Sequence, residues 1–222
     1  MKRIFAIALL VIAASAASAQ VKKKVRLAFV ASPQISWMNS NDKFVRSDGN
    51  KLGYDFGIST DIYWGEEERY GLTTGITILK AGGDVQYNTE SATFKFNGKN
   101  LPTGTTVSYD LQYLEIPLAL KLKTSQFHRL TYWGQFGLTN YINISAKGET
   151  SEGTFKNDRI PDEVNVFNAG LNVGGGIEYD LGGSNSIRAA IIYNGGFMDV
   201  TSDSNDDKVT LSGIKIQVGI IF

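Results

Sequence analysis

The sequence predicts an all-β fold, an eight-stranded antiparallel up-and-down transmembrane β-barrel over residues 20–222, behind a cleaved secretory signal peptide at 1–19. Three observations predict it. Eight runs alternate apolar and polar residues with the period of two that marks a strand. The connections between them alternate between short and long. The N-terminus has the layout of an export signal. Composition narrows the field further. The 22 basic and 22 acidic residues balance, which excludes a nucleic-acid binder with a basic footprint. The absence of cysteine excludes a disulfide scaffold, a thiolate zinc site, a thiol nucleophile and a lipoprotein anchor.

The elements follow in chain order. Lys2 and Arg3 precede an apolar run from Ile4 to Ala14, and Ala17-Ser18-Ala19 forms a small-residue processing site with cleavage between Ala19 and Gln20. Eleven apolar residues are too few for a membrane-spanning helix, which needs about 20. Cleavage leaves 20 basic against 22 acidic residues.

The first strand run covers Arg26 to Trp37, with Leu27, Phe29, Ala31, Pro33, Ile35 and Trp37 on one face. The second runs from Leu52 to Trp64, the third from Tyr70 to Ile78, and the fourth carries Leu114, Ile116, Leu118, Leu120 and Leu122. The fifth shows Leu130, Tyr132, Phe136 and Leu138, and the sixth runs from Phe167 to Tyr179. The seventh covers Ile187 to Tyr193, and the last runs from Ile214 to the terminal Phe222. A tilted strand crosses a bilayer in about 9–11 residues, and single-chain barrels use an even number of strands.

Links near 38–51, 82–105, 146–163 and 198–208 are polar and mostly long, whereas Gly65–Glu68, Thr124–Phe127 and Gly182–Ser184 are tight turns. With both termini periplasmic, the tight turns become periplasmic and the long links extracellular. Aromatic residues gather at both ends of the runs: Trp64, Tyr70, Tyr132, Tyr179 and Phe222 near the tight turns, and Trp37, Tyr54, Tyr109, Tyr141, Phe167 and Tyr193 near the long links. Two such belts match two membrane interfaces.

One conflict stands in the fourth run. Val107, Tyr109, Leu111 and Tyr113 share a parity that flips at Leu114, which predicts a bulge or strand break there. Pro117 has no N–H for a ladder bond and predicts a second irregularity.

The face opposite the aliphatic one carries Arg26, Asp55, Asp61, Glu115, Lys121, Glu178, Arg188 and Lys215, interleaved with Gln34, Gln135, Asn172 and Gln217. In a barrel of eight strands the lumen is only wide enough for side chains to fill. These eight balanced charges therefore predict a polar plug rather than a pore. A pairing that sets Tyr179 opposite Ile187 also sets Glu178 opposite Arg188 inside the barrel.

Chemistry beyond this is sparse. His128 is the single histidine and flanks a tight turn, so a turn-flanking polar role outweighs a catalytic one. Gly174-Gly175-Gly176 is not followed by a helix and cannot be a phosphate loop; it suits close approach of a large side chain or a neighbouring strand. Asp203-Ser204-Asn205-Asp206-Asp207 offers oxygen ligands but lacks the glycine and distal glutamate of a calcium loop. No catalytic, cofactor or metal site is expected.

With these elements in place, the chain resembles the PorT-like outer-membrane β-barrel family. The most specific piece is Tyr113-Leu114-Glu115-Ile116-Pro117-Leu118, supported by Gly170, Gly174 and Gly176, by Tyr193-Asn194-Gly195, and by the terminal Phe222. The resemblance implies residence in the outer membrane, with outer-membrane lipid and the barrel-insertion machinery as partners and Phe222 as the assembly signal. For PorT itself it implies a part in type IX secretion, hence secretion-system components as further partners. The expected function is that of a non-enzymatic barrel presenting extracellular loops, an accessory of protein secretion or surface attachment. The alternatives are a lipid-modifying enzyme and a small-solute channel.

Overall fold

A computed structural model describes residues 23–40, 42–65, 67–88, 93–202 and 208–222. The expected processing site at Ala19 and Gln20 and the acidic stretch 203–207 lie outside the described residues. The chain forms β1 (Lys23–Ser40), β2 (Val45–Trp64), β3 (Tyr70–Tyr87), β4 (Thr93–Phe96), β5 (Lys99–Pro102), β6 (Thr106–Lys123), β7 (Leu130–Thr150), β8 (Asp158–Arg159), β9 (Phe167–Gly182), β10 (Asn185–Gly196) and β11 (Val209–Ile221). The eight long strands each pair antiparallel with their sequence neighbours, and β1 pairs with β11, so the sheet closes on itself. Closure leaves no unpaired edge in the barrel wall, the condition for a sheet in lipid. A hairpin of β4 and β5 sits within the link from β3 to β6, and the two residues of β8 add to β7.

The period-two alternation produces the wall directly. Phe29, Ile58, Ile76, Leu118, Leu138, Leu171, Ile191 and Ile216 point outward and are exposed, while their strand neighbours turn into the lumen. The expected register between the sixth and seventh runs is present: Tyr179 pairs with Ile187 and Glu178 with Arg188.

The strands are longer than the sequence runs. β1, β2, β3, β6 and β7 have 18 to 21 residues, roughly twice what a crossing requires. The expected first long link therefore shrinks to residues 41–44, the second to 88–105 and the third to 151–166, while the fourth keeps nearly its expected bounds at 197–208. The cause is an inversion of polarity along the strands. Towards the long-link end the inward positions become apolar, with Met38, Val45, Leu79, Ala81, Val85, Val107, Tyr109, Leu111 and Val209 buried, and polar residues take the outward face. Alternation persists through this zone with its sense reversed, so a search for one continuous aliphatic face stops too early.

The same inversion corrects two expectations. There is no break in β6 at Leu114: its odd positions from Val107 to Tyr113 and on to Glu115 all face inward, in an unshifted register with β3. The expected bulge is present in the β6–β7 ladder at that height, but its extra residue lies on β7: Gln112 pairs with Ser145 and Tyr113 with Asn143, leaving Ile144 over. Tyr109 and Tyr141 do not join the long-link belt; both are buried in the lumen. Trp37, Tyr54, Phe167 and Tyr193 hold that belt, with the Trp37 and Tyr193 ring centroids 6.4 Å apart. Pro117 does interrupt a ladder: the β3–β6 pairing skips from Thr74–Leu118 to Thr77–Glu115.

Candidate functional site

The lumen is filled in three layers. Nearest the tight turns, Lys121 on β6 donates to Asp61 on β2 and Glu178 on β9, each at 2.7 Å. The guanidinium of Arg188 on β10 donates to Glu178 at 2.9 Å and also bonds Asp61. Lys123 completes the group at 2.8 Å from the second Glu178 oxygen. Thr73 donates to the remaining Asp61 oxygen at 2.7 Å, so both carboxylates are fully engaged. The indole of Trp133 lies against the cations, with its ring centroid 4.3 Å from the Lys121 ammonium and 5.3 Å from the Arg188 guanidinium. Gly176 pairs with Trp133, and a Cβ there would run into the Ala189 carbonyl and the Ala190 backbone.

The middle layer is a second ionic group. Lys215 on β11 donates to Asp55 at 2.7 Å and to both oxygens of Glu115 at 2.9 and 3.1 Å. Ser32 donates to Asp55 at 2.7 Å and Thr77 to Glu115 at 3.1 Å. Gln135, Asn172 and Asn194 extend the layer by amide bonds of 2.6 and 2.8 Å. The space between the two ionic layers, lined by Thr73, Thr77, Gln135 and Asn172, is about 20 Å³, room for one water.

The third layer is apolar and closes the long-link end. Phe94 of β4 stacks on Tyr87 with centroids 5.0 Å apart, and Phe96 meets Tyr109 and Phe155 edge-on at 6.2 and 5.6 Å. Leu101, Phe155, Ile160, Val164 and Val200 from the links pack into the same cluster. The hairpin thus folds inward as a cap whose apolar side chains continue the inverted lumen.

Seven of the eight charges named from the sequence line these layers. Arg26 does not. It stands at the tight-turn mouth, a third exposed, and binds Glu68 at 2.8 Å, with Lys24 on the other Glu68 oxygen. Its place in the plug is taken by Lys123, which shares the inward parity of Lys121, so the plug still holds four acids and four bases. Parity would have found Lys123; nearness to the turn hid it. Burial tends to raise the Glu68 carboxyl, but the Lys24 hydrogen bond and the Arg26 charge hold it below the usual glutamate range. His128 lies exposed in the β6–β7 turn at φ 56°, against the Phe127 ring, away from the plug. Among the described residues no three His, Cys, Asp or Glu side chains gather as metal ligands.

A filled lumen inside a closed wall with an aliphatic outer band is the build of a membrane barrel, and the family comparison agrees. The model of the outer membrane protein beta-barrel domain matches residues 17–218. The chain belongs to the outer membrane protein beta-barrel domain family. As a member of that family it resides in the outer membrane, with lipid against its aliphatic band. Among solved structures it is similar to Neisserial surface protein A, at 12% identity and a TM-score of 0.50, over 90% of this chain and 97% of that one. It is also similar to the outer membrane protein OprG from Pseudomonas aeruginosa, at 12% identity and a TM-score of 0.46, over 90% and 94%. Ail, the attachment invasion locus protein of Yersinia pestis, matches at 12% identity and a TM-score of 0.41, over 89% and 99%. Only the first of these bears on the fold, which it shares. No curated protein matches the sequence.

Proposed function

We propose that this outer membrane beta-barrel protein is non-enzymatic and non-conducting, and that it presents its long links and their cap outside the cell as an accessory of protein secretion or surface attachment. The observation that carries the reading is the double closure of the lumen. The ionic layers occupy the membrane-spanning part, and the apolar cap around Phe94, Phe96, Phe155 and Ile160 seals the far end. A channel needs a continuous wet path, and charged groups held within 2.9 Å of one another fill the lumen where that path would run, which supports the reading.

The orientation follows from chain economy: in bacterial single-chain barrels short turns are periplasmic and longer links extracellular. On that rule the capped end faces outward and Phe222 faces the periplasm, where the insertion machinery would read it. The resemblance to PorT-like barrels directs the role towards type IX secretion, and the name of Neisserial surface protein A describes a surface location for that structural neighbour. The test is planar-bilayer conductance of the purified barrel, with proximity labelling in cells to identify what the loops touch. Silent membranes and labelled secretion or surface proteins are expected; steady single-channel steps would overturn the sealed-lumen reading.

A further inference from the structure

The outer wall of β3, β6 and β7 changes character over two residues. Ile78, Leu114 and Ile142 form one paired apolar row across the three strands. The next outward row is Lys80, Gln112 and Ser145, and the one above it is Gly82, Asp110 and Lys147. Two residues along a strand is about 6–7 Å, so Lys80 stands one row above the aliphatic band and Lys147 two rows above it, about 13 Å along the strand, from where a long side chain can reach back towards lipid headgroups. Tyr54, an interface aromatic, pairs with Lys80 at the same height.

Lys80 and Lys147 line one surface cavity of about 430 Å³ on this wall, together with Gln112, Ser145 and Asn157. Two carboxylates share it. Asp110 is engaged by Lys51 at 3.2 Å, and Glu149 stands two residues beyond Lys147, further from the band. Neither Lys80 nor Lys147 makes an ion pair among the described residues, and both are half-buried. Two lysines without an acidic partner that line one cavity, with neutral amide and hydroxyl donors between them, suit an anion.

We infer that this cavity binds a phosphate group of the outer-leaflet glycolipid, with Lys80 and Lys147 as its two cationic contacts and Gln112 and Ser145 as neutral donors. The acyl chains of that lipid would then lie on the row of Ile78, Leu114 and Ile142 below. The assignment to the outer leaflet rests on the orientation proposed above; the phosphate chemistry does not.

The experiment is native mass spectrometry of the full barrel in non-ionic micelles, titrated with bisphosphorylated lipid A, dephosphorylated lipid A, phosphatidylglycerol or inorganic phosphate. The wild-type protein should retain bisphosphorylated lipid A about 30-fold more tightly than the Lys80→Gln/Lys147→Gln variant does, since each lysine near a charged membrane surface contributes about a kilocalorie per mole. A Lys95→Gln/Lys99→Gln control on the hairpin should bind like wild type. Removing the phosphates from lipid A should lower wild-type binding by a similar factor of about 30, a comparison made on the wild-type barrel alone and independent of whether the variant folds. Equal binding with and without lipid phosphates would overturn the site. Equal affinity for phosphatidylglycerol, or full displacement by millimolar inorganic phosphate, would overturn the glycolipid assignment. Micelle binding is blind to which end faces outward, so a reversed barrel and an absent site give different results.

Discussion

Tyr113 and Glu115 lie two residues apart on the inward face of β6, both fully buried, and between them the lumen changes from apolar to ionic. Tyr113 packs edge-on against Tyr141 with centroids 5.7 Å apart, whereas Glu115 takes two hydrogen bonds from Lys215. The outward face changes in the opposite sense at the same height, from Gln112 to Leu114. One physical rule covers both. Where the wall meets lipid, apolar side chains go outward and polar ones must satisfy each other inside. Where the wall stands in water, it buries apolar groups inside like any soluble barrel.

The plug predicts a specific coupling. Arg188→Ala removes the partner of two buried carboxylates and should destabilise the refolded barrel by about 3 kcal/mol. Glu178→Gln in the same chain should restore only part of that, because Asp61 still lacks its guanidinium partner while keeping Lys121. Urea unfolding of the two single variants and the double variant measures the coupling. Additive losses would mean that the two side chains do not meet.

The cap predicts a contrast between adjacent residues. Phe96 is buried among Tyr109 and Phe155, and Lys95 beside it is exposed. Phe96→Ala should cost about 3–5 kcal/mol in cap stability and open the 88–105 link to limited proteolysis. Lys95→Ala should stay within about 0.5 kcal/mol of wild type. Conductance should remain nil in both, because the ionic layers below are untouched. Equal protease resistance of the Phe96→Ala and wild-type barrels would show that the hairpin does not seal the end.

At the tight-turn mouth, Glu68 predicts an acid-sensitive contact. Its carboxyl is held below the ordinary glutamate range, so its pairs with Lys24 and Arg26 stabilise the folded barrel at neutral pH. That contribution is complete above the unfolded glutamate range and falls away as pH drops through the lowered folded value. Glu68→Gln should therefore narrow the stability difference between neutral and acidic pH, read from urea midpoints across a pH series. An unchanged difference would remove Glu68 from the account.

Phe222 predicts a separation of assembly from stability. Its amide donates to the Leu27 carbonyl at 2.8 Å and its ring meets Phe29 edge-on at 5.8 Å, yet half of its surface stays exposed on the outer wall. Deleting it should lower the folded protein recovered from cells several-fold, while barrels refolded in detergent melt near the wild-type temperature. A matching loss in both settings would make Phe222 an ordinary stabilising residue.

The lipid-facing part of the barrel was legible from alternation read together with the tight turns and the aromatic belts, down to the residue pairing of Glu178 with Arg188. There the outward face is uniformly aliphatic, and a one-residue slip would bury every wrong side chain. The projecting part was not legible in the same way. Val107, Tyr109 and Leu111 alternate as cleanly as Leu118 and Leu120, but in the opposite sense, and alternation carries no sign that says which medium lies outside. The cap was hidden for a different reason: Phe94, Phe96, Phe155 and Ile160 are scattered through polar links, and only tertiary contact brings them together. Arg26 was misplaced because parity fixes a face but not a depth, and near the mouth an inward residue can turn to solvent.

Thiol labelling decides which end of the barrel faces outward, and the absence of native cysteine makes the measurement clean. Lys95→Cys places a thiol on the exposed face of the β4–β5 hairpin, and Ser184→Cys places one in the exposed β9–β10 turn. A membrane-impermeant maleimide applied to intact cells should label Lys95→Cys at once and reach Ser184→Cys only after the outer membrane is opened. Labelling of Ser184→Cys alone in intact cells would contradict the account, since it would turn the capped, loop-bearing end towards the periplasm.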